Sequence, residues 1–149
     1  MEILVTIAIL TIALFGLMNL VIFSLQLSIS IKETKEADFL AREMIEIARN
    51  FRDGTAWHVD GLGTLTSGVA YYPLKDMSTS PPQWALVQGE ETVNQFTRRI
   101  IFYDVERDSN DNIVESGGVN DPNSKKIKAI VSWQGKEVEI ATYLTNWRQ

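Results

Sequence analysis

Residues 3–31 contain no Asp, Glu, Lys or Arg, in a chain of 149 residues that carries 14 basic and 19 acidic side chains. Only Glu2 precedes that run. A bilayer is crossed by roughly 20 apolar residues, so the first part of the chain is long enough and apolar enough to span one. Residues 3–25 read ILVTIAILTIALFGLMNLVIFSL, interrupted by Thr6, Thr11, Gly16, Asn19 and Ser24. As a helix they cover roughly 35 Å. A cleavable signal peptide needs a basic start, an apolar run of about 7–15 residues and a small-residue cleavage site. This segment has no basic start and is longer than that. Ala8, Ala13 and Gly16 offer small surfaces that let helices approach closely, while Gly16 and Asn19 weaken the helix locally.

The helical pattern continues past the apolar run. Residues 32–52 hold no Gly or Pro, and Ala37, Leu40, Ala41, Met44, Ala48 and Phe51 recur at steps of three and four, which places them on one face. Charged residues occupy the remainder, with Asp38 and Arg42 spaced for an i,i+4 pair. Arg49 and Arg52 suit the negative end of a helix dipole and Gly54 the position just past it. One helix is expected from about Glu2 to Asp53, apolar all round in its first half and amphipathic in its second. Glu2 stands at the mouth of the apolar run, where entry into lipid costs a carboxylate about 2.5–3.5 kcal/mol. Either it marks the interface or it meets a cation on another chain.

The rest of the chain carries β signals. Residues 54–82 form a mixed connector with several Gly and Pro, and 78–82, Ser-Thr-Ser-Pro-Pro, is its clearest loop. Short strands are expected over 68–72 and 84–88, and a longer one over 96–105. Residues 127–133 and 136–144 alternate around Gln134-Gly135 as a hairpin. Asn120-Asp121-Pro122-Asn123 reads as a turn. The fold class is α+β: a long N-terminal helix packed on a small antiparallel sheet, divided into 1–31 (membrane and assembly helix), 32–54 (its amphipathic continuation) and 55–149 (globular β domain). Met44, Ala48 and Phe51 would face the sheet, and Trp57, Trp84, Trp133 and Trp147 would help close its core.

Chemistry is sparse. The absence of Cys excludes thiolate metal sites, disulfides and Cys nucleophiles, and one His excludes a His-rich centre. His58 lacks a recognisable nucleophile and orienter, no G-x-S-x-G or phosphate-cradling loop occurs, and Glu90-Glu91 reads as surface. No catalytic residue is expected. Asp108, Asn110 and Asn112 alternate as the first oxygen donors of a calcium loop do. The sixth position, however, is Ile113 rather than Gly, and the twelfth is Val119 rather than Glu. Asp104, Asp108, Asn110 and Asn112 are the candidate calcium ligands, against the reading of a solvated turn; no other cofactor is expected. Arg98 and Arg99, amid Phe96, Phe102 and Tyr103, hint at a nucleic-acid patch. Alternation sets the two on opposite faces, and the net charge of −5 disfavours DNA as a partner.

Residues 2–14, EILVTIAILTIAL, resemble the N-terminal helix of type IV pilins and pseudopilins. The resemblance covers about the first 25 residues, and the helix-on-sheet plan agrees with it. It implies a pilin-like structural subunit of a pilus or pseudopilus, with Glu2 as the acid that meets a neighbour's N-terminal amine, and Ala8, Ala13 and Gly16 at the helix contacts. The implied partners are other pilin subunits, the membrane, a prepilin peptidase that cleaves and methylates, and the pilus assembly or secretion machinery. The implied location is the cytoplasmic (inner) membrane as a single-pass protein before assembly and an extracytoplasmic filament afterwards. In the family a Gly and a few apolar residues precede the Glu, whereas Met1 alone does here. Either a leader lies upstream of Met1 or the chain is not processed. The positive-inside rule on Lys32 and Lys35 alone would put 55–149 in the cytoplasm; the resemblance puts it outside. The contrasting reading is a monomeric, signal-anchored extracytoplasmic binding module.

Overall fold

The computed structural model describes residues 1–78 and 80–147; Thr79, inside the expected 78–82 loop, lies outside the described residues. One helix, α1, runs Glu2–Gly54, as the two consecutive patterns require. The chain divides into two compact units, residues 1–36 and 37–149.

In the first unit the side chains of the apolar run are exposed. Its threonines are not left open. Thr6 Oγ1 donates to the Glu2 carbonyl at 2.8 Å and Thr11 Oγ1 to the Ile7 carbonyl at 2.6 Å, so each hydroxyl is satisfied by its own helix one turn back.

In the second unit, Ala37, Leu40, Ala41, Met44, Ile45, Ile47 and Ala48 of α1 are buried. They pack on an antiparallel sheet of seven strands: β1 Ala70–Asp76, β2 Gln83–Gln88, β3 Glu91–Val93, β4 Phe96–Arg107, β5 Ile113–Val114, β6 Val119–Trp133 and β7 Lys136–Thr145. The order is β2-β1-β4-β6-β7, with β3 and β5 both pairing with β4. The β6–β7 hairpin turns at Gln134 and Gly135, both at positive φ, the conformation a two-residue turn needs. Phe96, Ile100 and Phe102 of β4 and Ile127, Ala129 and Val131 of β6 are fully buried. Met44 and Ala48 of α1 belong to the same core, with Phe51 packed at its margin. Tyr71 meets Phe102 edge-on at 5.8 Å and Phe96 tilts against Trp133 at 5.5 Å.

Several expectations are corrected. The turn expected at Asn120–Asn123 is part of β6. The pairing jumps there: Asp104 faces Lys125 and Val105 faces Asp121. The extra residues form a bulge that admits Pro122, whose missing N–H would break a regular ladder. Glu91 is a strand residue in β3, paired with Arg98. Of the four tryptophans, Trp57 and Trp133 are buried, whereas Trp84 is half-buried and Trp147 is 61% exposed. Trp84 sits on β2, which ends the sheet order, and Trp147 lies past the end of β7. The first strand begins at Ala70 rather than 68, because Gly68 adopts positive φ.

Candidate functional site

Glu2 occupies the first turn of α1, where a negative charge complements the exposed N–H groups of the helix start. Its carboxylate has no cationic partner among the described residues. At 100° per residue, Glu2, Ala13 and Gly16 fall on one side of the helix. Ala8 lies more than a third of a turn away from Ala13, so it belongs to a different contact line. All four are exposed, and nothing lies within 4 Å of the position a side chain on Gly16 would take. This side of α1, which Ile9 and Leu20 share, is therefore apolar and open, with two small residues along it and one acid at its end.

The candidate calcium residues have other partners. Asp104 Oδ1 accepts from Lys125 Nζ at 2.6 Å. Asp108 Oδ1 accepts the backbone N–H groups of Asn110 and Asn112 at 2.8 and 2.9 Å, and Asn112 Nδ2 donates to Asp108 Oδ2 at 3.2 Å. The Asn112 N–H and amide, with the Asn110 N–H, hold the Asp108 carboxyl below its ordinary range. Among the described residues, no group of three or more His, Cys, Asp or Glu could hold a metal ion. The adjoining loop is tied down by Arg107, which donates to Asp121 at 2.7 Å, the Asp111 carbonyl at 2.9 Å and Ser124 Oγ at 3.3 Å. Burial pushes Asp121 up. Hydrogen bonds from Ser124, Arg107 and the Asn123 N–H outweigh that and leave it below the ordinary range.

His58 Nε2 is hydrogen-bonded to Asn123 Oδ1 at 3.0 Å. The two arginines do point to opposite faces. Arg98 points inward, 8% exposed, and meets Glu43 of α1 at 3.0 Å and Glu91 of β3 at 2.8 Å. Arg99 lies on the outer face beside Glu90 at 3.0 Å and Glu137 at 3.6 Å. Glu90 is exposed, as the sequence reading has it, and Glu91 is half-buried; both are guanidinium partners.

A cleft of about 440 Å³ opens on the outer sheet face, walled by Val114 and Glu115. Its floor carries Tyr103, Lys126 and Tyr143, directly opposite one another on β4, β6 and β7. The Lys126 ammonium lies 5.9 Å from the Tyr143 ring centre, and Lys128 pairs with Glu139 at 2.9 Å. Sequence reasoning did not find this cleft. The alternation of β6 and β7 marked those positions as outward-facing and carried no sign that β5 would wall them.

No protein-family model, curated protein or solved structure matches the chain.

Proposed function

We propose that this chain is a structural subunit of a type IV pilus or pseudopilus filament, assembling through residues 3–31. What supports this is one observation: an uncharged run of helix, apolar enough to cross a membrane and exposed, is preceded by a carboxylate that has no cationic partner among the described residues. Each helix waits in the bilayer and passes into a bundle of like helices. Apolar surface stays in apolar surroundings, so the hydrophobic cost of extraction is small. Within the bundle, packing rather than water drives contact, and the small residues Ala13 and Gly16 let a neighbouring helix approach there. The Glu2 carboxylate pairs with a neighbour's N-terminal amine and sets the axial register, because an isolated charge there is costly. The globular domain then lies outside the cytoplasmic membrane.

The test is Glu2→Ala in cells that assemble the filament. Membrane insertion stays at the parental level and filament incorporation falls several-fold; an unchanged filament yield refutes the role. A second reading is favoured by the outer-face cleft, whose volume lies within the ligand-pocket range of about 300–1,000 Å³: an anchored extracytoplasmic domain that binds a ligand. Native chain that co-purifies with no fibre would favour it.

A further inference from the structure

Asn19 and Gln26 are the two carboxamides of the uncharged run, and they stand seven residues apart. Both are exposed, and neither has a hydrogen-bond partner among the described residues. Thr6 and Thr11 differ from them in closing on their own helix. Seven residues make two turns, about 10.5 Å along the axis, so the two amides share one stripe. The stripe continues backward through Ile12 and Val5 at the same interval, and Phe15 and Ile22 follow Ile12 and Asn19 by three. That is the spacing of a two-helix seam.

We propose that a second copy of this chain, parallel and in register, closes the seam within the membrane, with Asn19 pairing with Asn19 and Gln26 with Gln26. Hydrocarbon offers no water to these groups, so an unpaired carboxamide there is costly. A carboxamide carries both donor and acceptor and complements itself. All copies insert with one topology, which makes the pair parallel. Zero offset satisfies both amides at once, whereas an offset of seven residues satisfies one amide of each chain. A polar residue at such a position specifies register and oligomer state, and one carboxamide satisfies one other, which makes the closed unit a pair. The pairing rests on residues 3–31 lying in lipid, and it concerns the membrane-resident chain before any filament forms.

The chain has no cysteine, so single cysteines report its contacts directly. The full chain carrying Ile12→Cys is oxidised in native membranes beside one carrying Val21→Cys, on the far side of the helix. Ile12→Cys gives the stronger disulfide dimer. Adding Asn19→Leu and Gln26→Leu lowers its dimerisation by about tenfold, roughly threefold for each amide pair. Chain carrying only Val5→Cys, mixed with chain carrying only Ile12→Cys, gives 5–5 and 12–12 homodimers; a dominant 5–12 heterodimer means an offset of seven residues and overturns the in-register pair. Equal cross-linking at 12 and 21, or indifference to the leucines, overturns the pairing. Carbonate extraction separates the causes: chain washed from the membrane overturns its placement in lipid, and chain retained without preferred cross-links overturns the pairing alone.

Discussion

Replacing Arg98 by Met and removing its two carboxylates are not equivalent perturbations. Arg98 is held on the inner sheet face, its side chain 10% exposed, while its partners Glu43 and Glu91 keep 40% and 33% of their exposure. In Arg98→Met the apolar stem stays packed and both carboxylates turn to water. The cost is about 1–2 kcal/mol, hydrogen bonds to charged groups discounted for partial solvation. In Glu43→Ala with Glu91→Ala the guanidinium is stranded where it cannot rehydrate, and breaking a buried pair from that side costs about 3–5 kcal/mol. For a domain of this size each kcal/mol moves the melting temperature by about 4 °C, so the two variants separate by about 4–16 °C. Thermal melting of the full chain in detergent micelles, followed by fluorescence of the buried Trp57 and Trp133, measures both. If Arg98→Met melts lower than the double alanine variant, the burial asymmetry does not govern this network.

The depressed Asp121 carboxyl gives a pH dependence. Its stabilising share is complete above the ordinary carboxylate pKa of about 3.9 and drains as pH falls through the lower folded value. Melting temperatures measured from pH 6 down to pH 2 should therefore drop less steeply at the acid end in Asp121→Asn than in the parent; parallel profiles would contradict it. Gly118→Ala puts a Cβ 2.6 Å from the Arg107 carbonyl oxygen, and should cost about 1–3 kcal/mol as overpacking does, read as a lowered midpoint of denaturant unfolding. Gly16→Leu should fold and insert normally, since the site is open, yet reduce filament incorporation several-fold; unchanged incorporation would remove Gly16 from the helix contact.

The helix was legible because both of its halves announce themselves, one by the absence of charge and the other by three- and four-residue spacing. The face-flanking Ile45 and Ile47 are also buried, because the sheet covers a wider arc than that spacing marks. The β6–β7 hairpin was legible from alternation around Gln134-Gly135. Asn120–Asn123 carry turn-forming residues inside a strand, because a bulge opposite Asp104 and Val105 accommodates them, and no local pattern marks that bulge. Arg98 was placed on the correct alternation but not with its partner, since Glu43 lies 55 residues away and only the packing of α1 on β4 brings them together. The outer cleft depends on β5 pairing with the end of β4, a contact of two residues with no distinctive local pattern.

The sheet order leaves β2 and β7 with one neighbour each. A bare strand of ten residues is a template on which other molecules can stack into cross-β aggregates. β7 opens with Lys136, Glu137 and, two residues on, Glu139, with Glu137 and Glu139 49% and 39% exposed. Charge on such a border discourages strand-by-strand recruitment. Crowding many copies together is therefore least dangerous at the charged start of that border, and the uncharged stretch from Ala141 to Thr145 is where misassembly would begin.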